Sequence, residues 1–478
     1  MKPDRRILRR PVRYSLLAGA LCLTACVPDL GLMPELQQPQ TLGSANALAD
    51  SKGEWPVEAW WRAYGDPELD RLEDEALKGA PDLKIAEARL READAATRQA
   101  GADLVPGLSF DAASQSAKQS LNEGFPKQIQ SALPHGWHTN TRVAASLTYE
   151  IDLYGKNRAA YAAASSEAKA AEVDVEEARL VLSTSVAGAY AKLVRLAADK
   201  VAAEDAVNLH EQSVALFSAR EGQGLENRGA QAEAQANADS ARADEDAIDG
   251  QIAFVRDEIA ALVGKGPDRG LEIALPRAKE VRALGLPPHL SADLIGRRPD
   301  LVAARLRAEA ASDRIKVAHA DFYPNIDLNG LVGFQSIDIG QIFLHGSLIG
   351  AIGPALHLPI FDGGRIEGAY RGARASYDEA VASYDKTLVL SLKDAADAIA
   401  GERELEAERA HSRAALKNID EAYRIAKARY QGGLARYLDV LSAEDMLVLE
   451  RRRVADLDAS ELAQDVVLIR ALGGGFQS

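Results

Sequence analysis

The sequence has very little cysteine and few aromatic residues. Of 478 residues, two are cysteine and 5% are aromatic. Cys22 lies inside an N-terminal targeting segment, and Cys26 follows that segment as the expected point of lipid attachment. We therefore expect the mature chain to have no free thiol, and hence neither a disulfide nor a cysteine metal site. The scarcity of aromatics and the abundance of alanine favour long, closely packed helices over a compact aromatic core.

The chain also has too few positive charges to balance its negative ones. The formal net charge is −15, and residues 1–25 carry six Lys or Arg and one Asp, a net +5. The remainder of the chain is therefore close to −20. A surface of this sign repels phosphates, which excludes nucleic acid as a natural partner.

Long apolar runs are missing after the N-terminus. No later stretch approaches 18 consecutive apolar residues, so we expect no membrane-spanning helix. If the mature chain crosses a membrane, it must do so as a closed β-barrel, because lipid satisfies no open backbone groups.

The first 25 residues predict a lipoprotein signal peptide. Five arginines between positions 5 and 13 precede an apolar run over 14–23 that is too short to span a bilayer. The run ends in Leu23-Thr24-Ala25-Cys26, which is similar to the bacterial lipobox, where the Cys thiol receives a diacylglycerol. Val27 follows where an Asp would retain the protein at the inner membrane, so the outer membrane is favoured. An ordinary signal peptide with a chance cysteine is the alternative.

The sequence repeats itself, which is its most informative feature. Pro81-Asp82-Leu83 recurs as Pro299-Asp300-Leu301, 218 residues later. From Ile151 the register becomes 209, and the nine-residue difference falls between Pro106 and Ile151. The matched pairs in the second register include Gly155 with Gly364, Tyr161 with Tyr370, Arg220 with Arg429, and Gly224-Leu225 with Gly433-Leu434.

Each repeat predicts a helix, a strand pair, a long helix, a turn and another helix. The predicted divisions are a signal peptide at 1–25, an N-terminal anchor and linker at 26–60, a first repeat at 61–265 with strands within 106–153, a link at 266–290, and a second repeat at 291–475 with strands within 324–361.

The predicted strands alternate weakly with period 2, as barrel staves do. Leu108 and Phe110 alternate with Ser109 and Asp111, and Leu356, Leu358 and Ile360 alternate with His357 and Pro359. A soluble two-sided sheet is the alternative. Four strands cannot close a barrel, and eight is about the smallest closed number. Membrane-embedded strands therefore require at least two copies of the chain.

A long helical tract follows each strand pair. The first runs without proline from Gly155 to the break at Gly222-Gln223-Gly224, a length of roughly 100 Å at 1.5 Å per residue. The second breaks at Gly432-Gly433. Apolar and small residues recur at heptad-like spacing, which predicts helices packed side by side in coiled-coil fashion.

Several motifs together resemble the TolC family, and within it the lipid-anchored NodT/OprM-like outer-membrane factors of multidrug efflux systems. The match spans nearly the whole mature chain. Its motifs are Trp60-Trp61 with Tyr64, Asp66-Pro67-Glu68-Leu69, Tyr149 to Gly155, Arg297 to Leu301, Pro359 to Gly364, and Ala471 to Gly475.

The resemblance implies a mainly α protein with a transmembrane β part. It implies a homotrimer in which a twelve-stranded β-barrel continues into a long α-helical barrel through the periplasm. An equatorial belt would combine the N-terminal segment, the link and the C-terminus. The implied partners are outer-membrane lipid, a periplasmic adaptor and an inner-membrane RND-type transporter driven by the proton gradient. The implied function is passive export of small molecules.

The resemblance also suggests functional residues near the turns of the helical hairpins. Asp439 matches an acidic aperture position, and Ser442 stands where some members have a second Asp. Three carboxylates around a narrow axis would repel anions and attract cations; a solvated helix-face charge is the alternative. Arg220 and Arg429 are candidates for bracing the closed tips, or are surface arginines. The expected adaptor contacts are the turn glycines Gly222, Gly224, Gly432 and Gly433.

Other functions have weaker support. His135 and His138 lack a third ligand, so we expect no metal site, and we expect no cofactor besides the lipid on Cys26. No catalytic constellation stands out, so the sequence predicts a protein that is not an enzyme. The alternatives are a channel of the same fold for protein secretion or metal-ion efflux, and a periplasmic coiled-coil scaffold without a pore.

Overall fold

The structure is a computed structural model that describes residues 27–43, 55–120, 126–130, 132, 135–276 and 296–477. The predicted signal peptide and Cys26 lie outside the described residues. The part of the predicted link beyond residue 276 also lies outside them.

The described chain is built from seven helices of more than one turn in length and four strands. The first half contains α1 (Pro67–Gly79), α2 (Pro81–Ala102), β1 (Gly107–Lys118), β2 (Trp137–Glu150), α3 (Lys156–Gly222) and α4 (Arg228–Leu262). The second half contains α5 (Pro299–Ala320), β3 (Asn325–Ser336), β4 (Leu348–His357), α6 (Arg365–Gln431) and α7 (Tyr437–Ala471). Single helical turns occur at Pro39–Leu42, Trp60–Tyr64, Lys127–Gln130, Asp268–Leu271, Ile339–Gln341 and His345–Ser347.

The two halves have matching elements. Helices α2 and α5 both have 22 residues, α3 and α6 both have 67, and α4 and α7 both have 35. Strands β1 and β3 both have 12 residues. The nine-residue difference in register arises between the ends of β1 and β2, where the first half has the longer connection. The structure therefore confirms the predicted internal repeat.

The chain folds as two compact units, one containing the strands and one containing most of the long helices. The strand unit comprises the described residues of 1–35, 91–169 and 305–382. The helix unit comprises those of 36–90, 170–304 and 383–478. Each unit takes parts of both sequence repeats.

In the strand unit the four strands form one antiparallel sheet in the order β1-β2-β3-β4. Gly107 pairs with Thr148, and Asn325 pairs with His357. The strands have between 10 and 14 residues, and the expected alternation at Leu358 and Ile360 lies beyond β4.

An aspartate after each strand pair begins the long helix. Asp152 accepts a hydrogen bond from the backbone N–H of Arg158 at 3.0 Å. Asp362 accepts one from the backbone N–H of Ile366 at 2.7 Å. These contacts satisfy N–H groups that have no partner within the helix, so the shared Asp of the two motifs marks the helix start.

One described helix is long and apolar enough to cross a membrane by composition alone, although the sequence suggested none. An 18-residue window of Lys156–Gly222 has a mean hydropathy of 1.3. However, 67% of that window is buried within the chain, as in the core helix of a protein without helical membrane spans.

The N-terminal Trp-Trp-Tyr motif is part of the core of the helix unit. The side chains of Trp60 and Trp61 are 1% and 6% exposed. The hydroxyl of Tyr64 donates to Asp465 Oδ2 at 2.6 Å, and the hydroxyl of Tyr190 donates to Asp66 Oδ2 at 2.8 Å. Burial and then Asp465 raise the pKa of Tyr64. The motif is therefore a structural junction between the N-terminal segment and the long helices.

The same core contains a carboxyl group without a partner. Glu73 lies on the apolar stripe of α1 with Leu69, Leu72 and Ala76, and its side chain is fully buried. Neither of its carboxyl oxygens has a hydrogen-bond partner among the described residues. Burial, and then the negative charges of Asp70 and Asp74, raise the pKa of Glu73 to about 9.

We expect Glu73 to destabilise the helix unit increasingly as the pH rises. The unfolded chain releases this proton near pH 4.5, whereas the native chain holds it until about pH 9. The unfolded state is therefore favoured progressively between these values, by about 3 kcal/mol at pH 7. Glu73→Leu should raise the thermal midpoint at pH 8 and remove this component of the pH dependence. The exposed Glu92→Gln is the control. A wild-type pH profile in Glu73→Leu would contradict the assignment.

Candidate functional site

Each helical hairpin turns through a glycine in the left-handed conformation. Gly224 has φ of 70° and Gly433 has φ of 74°. The next N–H in each turn, of Leu225 and of Leu434, bonds back to a helix carbonyl at 2.9 and 2.8 Å. Those carbonyls belong to Arg220 and Arg429. This is the Schellman termination, and residues with a side chain rarely adopt its left-handed position.

Three aromatic rings pack together beside the turns in the helix unit. Phe217 is fully buried, and its ring centroid lies 5.6 Å from that of Tyr430 and 5.9 Å from that of Tyr437. Both contacts are edge-to-face, the favourable arrangement for aromatic pairs. The cluster joins the end of α3 to the end of α6 and the start of α7.

Arg220 lies on this aromatic cluster. Its guanidinium carbon is 4.3 Å from the ring centroid of Tyr430. The Tyr430 hydroxyl donates to Glu226 Oε1 at 2.9 Å. Burial and then this bond to Glu226 raise the pKa of Tyr430 to about 12. Arg220 and Tyr430 thus connect the first hairpin turn to the second helical hairpin.

Arg429 has a different environment, although the repeat makes it equivalent to Arg220. It lies on the exposed side of α6 in the isolated chain. Within one chain, therefore, Arg220 has a bracing contact in the structure and Arg429 is a surface arginine.

Asp439 is the third residue of α7 and has a local structural role. Its Oδ2 accepts a hydrogen bond from the backbone N–H of Arg436 at 2.9 Å. The Arg436 guanidinium is 3.6 Å from its other oxygen. The contact is half of a capping box, which stabilises the start of the helix.

Asp439 shares the exposed side of α7 with Ser442. Both side chains are exposed in the isolated chain, whereas Val440 and Leu441 are buried against the other helices. The carboxylate of Asp439 is thus available to face a neighbouring copy or a channel axis. The four turn glycines also lie exposed at the helix ends.

The structure shows polar contacts near the turns that the sequence analysis missed. His210 and Ser213 on α3 meet Glu444, which is fully buried on the apolar stripe of α7. The sequence contained a signal for this contact, because Glu444 interrupts an apolar stripe formed by Val440, Leu441 and Leu447. Only the packing shows which residues contact its carboxyl group.

His135 and His138 belong to no metal cluster in the described part of the chain. No group of three or more His, Cys, Asp and Glu side chains in the described part of the chain is arranged to hold an ion.

The segment after Val27 was predicted as a linker, and it lies along α6 in the strand unit. The guanidinium of Arg374 donates to the carbonyls of Gly31 and Leu32. The hydroxyl of Tyr377 donates to the carbonyl of Pro34 at 3.0 Å. These side-chain contacts fix the path of the segment that follows the expected lipid site.

A pair of antiparallel strands and a long helical hairpin, each occurring twice within the described chain, define an outer-membrane channel fold. The outer membrane protein VceC of Vibrio cholerae has this fold with a TM-score of 0.82. It is 40% identical, and the match covers 88% of this chain and all of that one.

The sequence relatives agree. The multidrug resistance outer membrane protein MdtP of Escherichia coli is 30% identical over 99% of this chain and 98% of its own length. The pyoverdine export outer membrane protein OpmQ of Pseudomonas putida is 27% identical over 100% of this chain and 99% of its own. The model of the outer membrane efflux protein family matches residues 72–265 and 290–474.

The chain therefore belongs to the outer membrane efflux protein family. It is an efflux channel of the outer membrane, and the predicted resemblance is confirmed. The family and the relatives are channel proteins rather than enzymes.

We expect Arg220→Ala to loosen the first hairpin turn, because it removes the cation–π contact to Tyr430, worth about 1 kcal/mol. Amide hydrogen exchange at Gly224 and Leu225 should then accelerate about fivefold. Tyr430→Phe keeps the ring and removes only the bond to Glu226, so its effect should be smaller.

Arg429→Ala is the matched control, since it changes the equivalent but exposed arginine. Equal acceleration of exchange in Arg220→Ala and Arg429→Ala would contradict a specific role for Arg220.

Proposed function

We propose that this protein is a homotrimeric, passive duct that exports small molecules, such as drugs or toxic compounds, across the outer membrane. The observation that carries the proposal is the open sheet. Among the described strands, β1 and β4 each pair on one side only. A membrane sheet with free edges leaves backbone groups unpaired in hydrocarbon, at a cost of several kcal/mol each.

Closure by further copies satisfies these edges. Strands β1 to β4 alternate in direction, so β1 and β4 run in opposite directions. When β4 of one copy lies beside β1 of the next, the pair is antiparallel and the pattern continues. Two copies give eight strands, about the smallest number that closes a barrel. Three copies give twelve strands, the number that the family resemblance implies.

The exposed side chains of the edge strands fit this assembly. Leu108 and Phe110 on β1 are 76% and 71% exposed in the isolated chain, and Ile352 and Leu356 on β4 are 77% and 69% exposed. Apolar side chains at this density need lipid or protein to cover them.

The relatives support small molecules as cargo. MdtP is named for multidrug resistance and OpmQ for the export of pyoverdine. Protein secretion and metal-ion efflux remain the alternatives within the same fold. A scaffold without a pore explains the helices but gives no role to four antiparallel strands with apolar edges.

The partners follow from the same proposal. The hairpin turns present Leu225 and Leu434, 60% and 74% exposed, as apolar contacts for a periplasmic adaptor. The adaptor in turn would connect the duct to an inner-membrane RND-type transporter. A lipid on Cys26 would add an anchor, and Arg374 and Tyr377 hold the segment that follows it.

In the trimer, three copies of Asp439 form the acidic ring of the aperture. The three carboxylates repel anions, so the aperture prefers cations. Each carboxylate also contacts Arg436, which holds the start of α7 in place and resists opening. Ser442 on the same side of α7 adds no charge, so the ring consists of Asp439 alone.

Outer-membrane fractions should contain the protein as a trimer band that survives SDS and resists moderate heating. A closed barrel has no edge at which detergent can begin to unpair strands, which explains the resistance. Phe110→Asp in β1 should weaken the band, because a charge on an apolar strand face is costly in lipid or at a dry interface. A protein that migrates only as monomer from membranes would contradict the trimeric duct and favour the scaffold.

Planar-bilayer conductance tests the aperture. Asp439→Asn keeps an oxygen to accept the Arg436 N–H but removes the charge, so we expect a higher conductance and weaker cation selectivity. Asp439→Ala removes both the charge and the cap, and should raise conductance at least as much.

The matched control is Asn227→Ala, which removes the N-cap of α4, the equivalent helix of the other hairpin. Asn227 accepts from the N–H of Ala230 at 3.1 Å. If Asn227→Ala and Asp439→Asn change conductance equally, the effect is general loosening. If Asp439→Asn leaves the conductance unchanged, Asp439 is a surface charge without a role in the aperture, and the proposal of a duct still stands.

A further inference from the structure

The pairing register of the strands assigns each strand residue to one of two faces of the sheet. Leu108 on β1 is opposite Leu147 on β2, and Leu147 is opposite Gly330 on β3. Gly330 is in turn opposite Ile352 on β4. Paired residues lie on the same face, and their neighbours in sequence lie on the other. The two faces can therefore be compared residue by residue.

The face that includes Leu108 and Ile352, here called the apolar face, is nearly free of charge. Lys118, the last residue of β1, is its one Asp, Glu, Lys or Arg residue among the described strands. Six of its large apolar side chains are 56% to 77% exposed in the isolated chain, those of Leu108, Phe110, Val332, Leu348, Ile352 and Leu356. An exposed surface of this kind fits the hydrocarbon of a membrane.

The opposite face, here called the polar face, holds the other charged residues of the strands. They are Asp111 on β1, Arg142 and Glu150 on β2, and Asp327 on β3. The remaining positions of this face on β2 and β3 hold mainly small or polar side chains. Because a membrane β-barrel channel is apolar outside and polar inside, this face suits the lumen when copies of the chain close the barrel.

Negative charge on the polar face is concentrated at one end of the strands. Glu150 is the last residue of β2 and lies directly opposite Asp327 on β3. Towards the other end, Asp111 is opposite Ala144, which is two residues from Arg142. One negative and one positive charge therefore lie close together there and offset each other. The uncompensated pair lies at the end where the chain continues into α3.

Neither carboxylate of this pair takes part in an ion pair in the described part of the chain. Two basic residues at the start of α3 already have partners, Lys156 with Asp321 at 2.8 Å and Arg158 with Asp152 at 3.1 Å. Like charges directly opposite each other on neighbouring strands destabilise a sheet. Cations in the adjoining water would reduce this repulsion, so the pair attracts them.

A cavity of about 260 Å³ adjoins the pair and contains an unpaired acceptor oxygen. Glu150 and Asn325 both line it. Oδ1 of Asn325 is buried and has no hydrogen-bond partner among the described residues. Arg365 also lines the cavity and offsets one negative charge. With Asp327 included, each chain still has more negative than positive charge at this end of the strands.

We propose that the polar face lines the lumen of the barrel and that Glu150 and Asp327 form an acidic ring at the end of the barrel where the strands continue into the long helices. The proposal rests on the proposed duct and adds a second determinant of its selectivity. Two carboxylates from each of three copies raise the concentration of cations near the wall and lower that of anions, over about 8 Å at physiological ionic strength. The duct then selects for cations in the barrel as well as at Asp439.

Single cysteines test the two faces, because the sequence has no cysteine after Cys26. Ser146→Cys and Thr148→Cys change the polar face, whereas Ala145→Cys and Leu147→Cys change the apolar face. In proteoliposomes, a membrane-impermeant maleimide should label the first two variants and leave the last two unlabelled, with wild type as the blank. Equal labelling of the two faces, or labelling of the apolar face alone, would overturn the proposal.

The same cysteine chemistry measures the charge of the ring. Thr148 is two residues from Glu150, about 7 Å along β2, so a cysteine there senses the ring. In Thr148→Cys, a cationic thiosulfonate should react faster than an anionic one, each rate being taken relative to that with a small free thiol. Adding Glu150→Gln and Asp327→Asn together should lower this ratio of rates about fivefold.

Asp111→Asn is the matched control for Asp327→Asn. It removes one carboxylate from the same face, but about 14 Å from Thr148 along the strands, which is beyond the screening length. The ratio of rates should therefore change less in Asp111→Asn than in Asp327→Asn. Equal changes in these two variants would overturn the ring, and so would an unchanged ratio in the double variant.

Reversal potentials in planar bilayers separate the ring from the duct. Glu150→Gln with Asp327→Asn should lower the ratio of cation to anion permeability, and Arg142→Gln, which removes a positive charge from the same face, should raise it. If wild type prefers cations and the double variant keeps that preference in full, the ring is wrong and the duct stands. If wild type does not conduct, the duct fails, and the labelling rates still decide whether the polar face carries the ring.

The SDS-resistant trimer band checks the assembly of each variant. Neutralising two like charges that lie opposite each other should not destabilise the sheet, so we expect the double variant to keep the band. If it does not, the single variants Glu150→Gln and Asp327→Asn take its place in both measurements, each with about half the effect on the free-energy scale.

Discussion

Backbone hydrogen bonding at the two edges of the sheet is the constraint on which the rest of the protein depends. Strands β1 and β4 pair within the chain on one side only, and hydrocarbon offers no donor or acceptor to the other side. The chain thus cannot be complete as a single copy in a membrane. Assembly also gives Asp439 its proposed meaning, since one exposed carboxylate is a surface charge and three around an axis are a selectivity ring.

The internal repeat explains the architecture of the described chain. The paired helices have equal lengths, so duplication built the scaffold. Near the turns the two copies differ. Arg220 lies over Tyr430, whereas Arg429 is exposed and the position equivalent to Tyr430 is Glu221.

Two buried glutamates show different physical uses of a carboxyl group in the helix unit. Glu73 has no hydrogen-bond partner among the described residues, so burial keeps it protonated at a cost in stability. Glu444 has contacts from His210 and Ser213, so its burial joins two helices. A buried carboxyl group that accepts a hydrogen bond from another helix, as Glu444 does from Ser213, favours one arrangement of helices among several that an alanine-rich apolar interface permits.

The sequence by itself determined the repeat, the order of elements, the hairpin turns and the family, because periodicity, Pro and Gly positions and motifs are local properties. The family resemblance directed attention to Asp439 and the turn glycines, which lie at the ends of the long helices. It could not separate Arg220 from Arg429, since equivalent positions look alike until the helices pack. It also missed the capping role of Asp439 and the partners of Glu444. Ser213 lies 231 residues before Glu444 in the sequence, and only the tertiary structure brings the two side chains within hydrogen-bond distance.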